Sequence, residues 1–227
     1  MQFRRTRLAV VAALLLPAGA GAQSLADYDY ENLLFRGLGA DWGYIWPSKV
    51  EATQVYSLRL DLGYLGPAVR IAPSLSYWHS RFKAAELDRL AERVSALDPL
   101  QEEGVVLEGT DLGEVTWSDL SLGVDAHLVW TVPLQLMTYL GAGVGLHALN
   151  GRGAVIEDTF VEDLLDATTM GLAVMAGVEA QPISSLRLYG EVRYSVADAV
   201  RYPGVRLGAA LMLPPRSSAA QETGQGR

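Results

Sequence analysis

The sequence predicts an all-β fold, an antiparallel transmembrane up-and-down β-barrel of eight strands with short amphipathic helices in its long loops. Three observations predict it. Apolar residues alternate with polar or small ones through eight segments between Leu34 and Leu213, and period two places the two kinds on opposite faces of a strand. Each segment reaches the roughly 9–11 residues that a tilted strand needs to cross a bilayer. The connections alternate between tight turns containing Pro and longer polar loops, as they do in barrels that cross a membrane.

The chain opens on a segment read as targeting rather than fold. Arg4, Arg5 and Arg7 precede the apolar run Leu8–Leu16, Pro17 breaks it, and Ala18-Gly19-Ala20-Gly21-Ala22 follows. This is the order of a signal peptide, expected to span 1–22 with cleavage after Ala22. The run is too short for a helical span, which needs about 20 residues. Residues 23–33 are then a short mature N-terminal segment, 34–213 the barrel, and 214–227 a small, polar tail expected to be disordered.

The strands follow in order. The first is Leu34–Trp46. The second, Val55–Leu65, sets Tyr56, Leu58, Leu60, Leu62 and Tyr64 against Ser57, Arg59, Asp61 and Gly63. The third, Ala68–Ser80, sets Val69, Ile71, Leu75 and Tyr77 against Arg70, Ala72, Ser74 and Ser76. The fourth, Glu114–Trp130, sets Leu120, Leu122, Val124, Ala126 and Leu128 against Asp119, Ser121, Gly123, Asp125 and His127. The fifth, Leu134–Leu149, sets Leu136, Leu140, Ala142, Val144 and Leu146 against Gly141, Gly143, Gly145 and His147. The sixth, Thr169–Ala180, carries Met170, Leu172, Val174, Ala176 and Val178 on one face. The seventh, Ser185–Val196, opposes Leu186, Leu188, Val192 and Tyr194 to Arg187, Glu191 and Arg193. The eighth, Tyr202–Leu213, opposes Val205, Leu207, Ala209 and Leu211 to Arg206, Gly208, Ala210 and Met212.

Tight turns are expected at Leu65-Gly66-Pro67, Thr131-Val132-Pro133 and Gln181-Pro182-Ile183-Ser184; by the rule for membrane barrels these face the periplasm. Two loops at the other end carry helical spacing. Lys83–Leu97 repeats Leu87, Leu90, Ala91, Val94 and Leu97 before Asp98-Pro99, and Ile156–Ala167 repeats Phe160, Val161, Leu164 and Leu165. Both are expected as helices at the extracellular rim.

The inward faces are charged. Asp41, Asp61, Asp119, Asp125, Glu179 and Glu191 face the same interior as Arg59, Arg70, Arg187, Arg193 and Arg206. Near balance predicts a salt-bridged plug, since an unpaired buried charge is costly. Gly141, Gly143 and Gly145 are expected to make room for arginines across the lumen. Trp42, Tyr44, Trp46, Tyr56, Tyr77, Trp117 and Tyr194 are placed toward the outer bilayer interface, and Tyr64 and Trp130 toward the periplasmic one.

Composition excludes several classes. The formal charge is −8, and more negative without the three leading arginines, which argues against nucleic-acid binding. Cys is absent, so disulfides, a lipidated N-terminal cysteine, CxxCH haem attachment and cysteine zinc sites are all excluded. Asp125 and His127 share a strand face and resemble an acid/base pair. A hydrogen-bonded lumen pair explains them better, and a metal site with His147 is the weaker reading. The acidic residues Glu157, Asp158, Glu162, Asp163 and Asp166 lack calcium-loop spacing and read as a solvated face. Gly141-x-Gly143-x-Gly145 is not a nucleotide loop. No catalytic, cofactor-binding or metal-binding residue is assigned, and no cofactor is expected.

The opening strand GLGADWGYIWP, the Gly-rich strand YLGAGVGLHAL and the closing strands SLRLYGEVRYSV and YPGVRLGAALML resemble the small outer-membrane β-barrel superfamily of OmpA-type, OmpX-type and opacity-protein barrels. The resemblance spans roughly 34–213. It departs where such barrels often end on an aromatic residue, for here the last strand ends at Leu213-Pro214 with a tail beyond. It implies residence in the cell outer membrane of a Gram-negative bacterium. It also implies partners among outer-membrane lipid and lipopolysaccharide, and help from barrel-assembly machinery and periplasmic chaperones. Neither His79-Ser80-Arg81 nor the segments at His127 and His147 fit the His-x-Ser element of the lipid A deacylase class, and the chain is two strands short of the omptin-type proteases. The expected function is therefore structural or surface-interacting, as a monomer with a plugged, charge-paired lumen and no enzyme activity. The alternatives are a narrow small-solute channel, a lipid-modifying enzyme and a soluble periplasmic ligand-binding barrel.

Overall fold

A computed structural model describes residues 33–66, 68–95, 113–154, 165–198 and 200–213. The expected signal peptide, the C-terminal tail, and nearly all of the N-terminal segment and the second loop helix lie outside the described residues. Eight antiparallel strands run in sequence order and close on themselves. They are β1 (Leu33–Ile45), β2 (Thr53–Gly63), β3 (Val69–Arg81), β4 (Thr116–Val132), β5 (Leu136–Arg152), β6 (Ala167–Ile183), β7 (Leu186–Ala197) and β8 (Arg201–Met212). Among the described residues one α-helix, α1 (Ala84–Ser95), follows β3. Closure is made by β1 against β8, from Gly37↔Met212 to Ile45↔Gly204. It leaves no open edge, which a sheet in lipid requires.

The alternation in the sequence becomes an alternation of environment. In β2, Tyr56, Leu58 and Leu60 are exposed while Val55, Ser57, Arg59 and Asp61 are buried. The same pattern in β6 leaves Met170, Leu172 and Val174 exposed, with Ala173 and Met175 inside. The outer surface is therefore a belt of large apolar side chains and the interior holds the charges. This inverts a water-soluble protein, in which contiguous apolar patches are small and buried charge is rare.

Two turns differ from expectation. β4 continues to Val132, paired with Leu136, and the reversal is a 3₁₀ turn over Pro133–Gln135. Pro133 therefore stands just past the ladder, where its missing N–H costs nothing. Leu134, at the tip, has φ 69° and is 89% exposed. β6 likewise runs on through Gln181 and Pro182 to Ile183, with an irregularity between Ala180 and Ile183 that absorbs the proline. At the β2–β3 reversal, Gly63 and Gly66 take positive φ, as tight turns demand.

Helix α1 lies at the long-loop end, within the expected Lys83–Leu97, and turns its apolar face inward over the mouth of the barrel. Leu90 and Ala91 are buried, Leu87 packs beside them, and the cluster beneath includes Ile45, Trp78, Trp117 and Tyr202. Glu86 in its first turn and Arg93 in its last complement the helix dipole. Its N-terminus is tied to the β1–β2 loop. The Lys83 N–H donates to the Lys49 carbonyl, and Lys83 Nζ donates to the carbonyls of Pro47 and Ser48.

Candidate functional site

The interior of the barrel is the most densely built polar site in the molecule. Every lumen charge expected from the sequence is inside. Nearest the short-turn end, Arg187 donates to Asp61 at 2.6 Å and Arg70 to Glu179 at 2.7 Å. Above them Arg59 meets Glu191 at 2.9 Å, and Glu191 also accepts from the Tyr139 hydroxyl at 2.8 Å. Asp41 accepts from the Tyr189 hydroxyl at 3.0 Å, with Arg59 and Arg206 within ion-pair distance. Arg193 clamps Asp125 with both Nη atoms, at 2.8 and 2.9 Å. Arg206 donates to Ser57 at 2.8 Å, and Ser76 donates to Ser57 at 2.9 Å. The pairs Arg59–Glu191, Arg70–Glu179, Arg187–Asp61 and Arg193–Asp125 each join strands three apart around the barrel, so these four are struts across the bore.

The expected Asp125–His127 pair is not formed. Asp125 is taken by Arg193, while His127 accepts from Arg70 at Nδ1 and stacks on Tyr139 with ring centroids 4.5 Å apart. Parity put both residues in the lumen but said nothing of which cross-barrel partner would reach each first. The carboxylate–imidazole contact that does form joins His147 Nδ1 to Asp119 at 2.8 Å, and the same carboxylate oxygen accepts from Trp78 Nε1 at 3.1 Å. Imidazole and indole share one carboxylate oxygen, so this pair fixes Trp78 in place. Among the described residues no three His, Asp or Glu side chains gather as a metal site. Of the acidic loop only Asp166 is described. It accepts from the Asn150 amide and the Gly151 N–H, latching the loop to β5.

The glycines act differently from expectation. A Cβ on Gly143 would collide with Asp125, and one on Gly141 with the His127 ring. They make room for side chains of the adjacent strand β4, and only through Asp125 for an arginine. Gly177 and Gly208 do the same for the rings of Tyr139 and Tyr189.

Above this polar column the bore is apolar. Trp117, expected at the lipid interface, is buried in the mouth. Its parity in β4 is that of Asp119 and Asp125, hence inward, and its Nε1 donates to the Leu165 carbonyl at 3.0 Å. Trp78 and Tyr202 meet edge-to-face with centroids 6.0 Å apart, and Trp78 and Trp117 at 6.4 Å. Lys49 lies 5.6 Å from the centre of the Trp117 ring. Partial burial, helped by Arg93 and opposed by Glu86, holds its ammonium pKa below the usual lysine range. The lumen aromatics Trp78, Tyr139, Tyr189 and Tyr202 were not singled out from the sequence, yet each shares the parity of its strand's inward residues. Among the described residues the bore holds small cavities, two of them of about 20 Å³. One is lined by Ser76, Ser121, His147 and Ser195, the other by Asp61, Arg70, Glu179 and Tyr189. Each holds about one water molecule.

Around the outside, Trp42, Tyr44, Trp46, Tyr56, Tyr77 and Tyr194 are exposed, as expected of interface aromatics.

No family model matches the chain, and no curated protein does. Solved structures do. Neisserial surface protein A is 16% identical over 78% of this chain and 97% of its own, with a TM-score of 0.51. Ail, the attachment invasion locus protein of Yersinia pestis, solved with the heparin analogue sucrose octasulfate, is 14% identical over 78% and 97%, with a TM-score of 0.46. The N-terminal β-barrel domain of Pseudomonas aeruginosa OprF is 10% identical over 78% and 97%, with a TM-score of 0.45. The fold is that of the small outer-membrane β-barrels.

Proposed function

We propose that this chain is an outer-membrane barrel that does not conduct and acts at its surface, through the long-loop end and the outward wall. The carrying observation is the double obstruction of the bore: cross-barrel ion pairs through its lower stretch and an apolar stopper of Trp78, Trp117, Tyr202 and α1 at the mouth. The bore cavities lined by Ser76 and by Asp61 are each about 20 Å³, room for about one water. The apolar outer belt suits a bilayer, and the short turns face the periplasm by the usual topology. The lumen side chains serve packing and ion pairing.

The test has two parts. Heat-modifiability on SDS gels after refolding into lipid vesicles is expected to show a shift between unboiled and boiled protein; a protein without it, found in the soluble periplasmic fraction, overturns the membrane reading. Planar-bilayer recordings of the folded protein are expected to stay at background. Steady unitary currents would instead establish a small-solute channel.

A further inference from the structure

The outward wall carries a site that the sealed lumen does not explain. The aromatic rim is lopsided. On β1–β3 it holds Trp42, Tyr44, Tyr56 and Tyr77, whereas the outward row of β4–β6 at that end is Leu120, Leu146, Ala148 and Met170. Among the aromatics of β1–β3 an open cleft of about 330 Å³ is lined by Tyr44, Thr53, Gln54, Tyr56, Tyr77 and His79. Register explains it. Gln54 stands opposite Tyr44, and Tyr56 stands between Trp42 and Tyr77. The smaller amide is therefore a low point among rings. Gln54 Oε1 accepts from Trp42 Nε1 at 3.1 Å and from the Tyr56 hydroxyl at 2.6 Å. Its oxygen is used, so the amide group has its N–H donors to offer.

On the other flank of the Trp42–Tyr44 ridge lies a second, apolar depression of about 480 Å³, walled by Trp42, Tyr44, Val178, Val192, Val205 and Leu207. Gly190 creates it. This glycine sits in the outward row, paired with Val178 and Leu207, and a Cβ there would meet only Leu207 at 3.4 Å. The two depressions share Tyr44. They also lie at different depths. Gln54 is beside the loop end of β2 (Thr53–Gly63), Leu207 is midway along β8 (Arg201–Met212), and Val178 is in the short-turn half of β6 (Ala167–Ile183). The furrow thus descends from the rim into the apolar belt.

We propose that this pair of depressions holds one lipid with an uncharged sugar headgroup, the sugar in the Gln54 cleft and an acyl chain in the Gly190 furrow. Aromatic faces with amide and hydroxyl groups between them suit the C–H faces and hydroxyls of a hexose. The cleft lining has no Lys, Arg, Asp or Glu, and Arg81, further along the same face of β3, is paired with Glu114 at 3.0 Å. A phosphate headgroup therefore finds no Lys or Arg in the cleft. Because the cleft opens on the lipid-facing wall and adjoins an apolar furrow across Tyr44, the occupant is a membrane lipid rather than a soluble saccharide. This inference rests on the membrane reading above.

Native mass spectrometry of the full barrel, released from phosphatidylcholine nanodiscs doped with monoglucosyl diacylglycerol, tests it. The wild type is expected to retain the glycolipid about tenfold over phosphatidylcholine, with Gln54→Ala, Tyr77→Ala and Gly190→Leu each removing most of that preference. Tyr194→Ala, on the rim away from the cleft, is expected to keep it. Ala176→Leu blocks the furrow from β6 if Gly190→Leu fails to fold, as read by the heat shift. Equal retention of both lipids would overturn the proposal and leave the aromatics as interface anchors. Full displacement by millimolar maltose would overturn it in favour of a soluble sugar. Loss of the heat shift in the wild type would overturn the membrane reading, and this proposal with it.

Discussion

From the short-turn end to the level of Asp125, the bore is filled by arginines, carboxylates and tyrosine hydroxyls. From Trp78 upward the same bore is filled by Ile45, Trp117, Tyr202 and the apolar face of α1. The two stretches meet at Asp119, which accepts from His147 on one side and from Trp78 on the other. They obstruct the bore by opposite physics. The lower stretch depends on pairing, because a buried charge without its partner is strongly destabilising. The upper stretch depends on volume, because its groups are non-directional and lose stability in proportion to the space left open. The lower stretch is made entirely by the barrel wall, whereas the upper one needs a helix from a loop. A mutation in one should therefore leave the other in place.

Breaking this comparison begins with Glu191. Glu191→Ala removes the acceptor of both Arg59 and Tyr139 and is expected to cost about 3–5 kcal/mol in urea unfolding from lipid vesicles. A loss below about 1 kcal/mol would mean that water enters the bore and screens the pairs. Trp78→Ala is expected to cost a similar or slightly smaller amount, about 3–4 kcal/mol. Bilayer conductance should nevertheless stay at background, because the ion pairs below still block the bore. Currents appearing in this variant alone would show that the apolar stopper is the only seal. Leu90→Ala on α1 is expected to cost about 2–3 kcal/mol. Its effect should add to that of Glu191→Ala within about 0.5 kcal/mol, as for separate sites; a larger coupling in that double-mutant cycle would merge the two seals into one.

Two smaller effects sharpen the picture. Lys49 has a lowered pKa because its ammonium is partly buried against the stopper. Below its folded pKa the folded protein carries that disfavoured charge. The cost is relieved as pH rises through the folded pKa toward the ordinary lysine value. The seat of α1 should therefore become firmer under alkaline conditions, and Lys49→Met should flatten that dependence in amide exchange of the helix. At the opposite end, Leu134→Gly relieves a positive φ at an exposed tip. It is expected to change stability by no more than about 1 kcal/mol, in the stabilising direction. A loss there would give the Leu134 side chain a contact of its own.

Much of this architecture was legible in the chain. The alternation of Tyr56, Leu58 and Leu60 with Ser57, Arg59 and Asp61 is a property of consecutive residues, and it alone sorts lipid from lumen. Where the reading of Trp117 went astray, the parity of β4 was the better guide than the habit of tryptophans at interfaces. The turn at Pro133 was misplaced because proline marks the neighbourhood of a reversal and not its tip. The Asp125–His127 pair failed for a deeper reason. Neighbours on one strand face are about 7 Å apart, and an arginine reaching across the bore arrives at closer range.

The sequence by itself determined the eight strands, the inside and outside of each, the tight turns at one end and the set of charges in the lumen, because a strand's two faces are written in its local order. Only the tertiary structure decided which arginine meets which acid, that Gly143 serves Asp125, that Leu90 and Ala91 close the mouth, and that Gly190 opens a furrow beside Trp42. The place of Gly143 depends on the β4–β5 register, and the furrow and the cross-bore pairs depend on closure. The register of β1 on β8 brings residues from the two ends of the chain within contact, and no local pattern records which side chain stands across the bore.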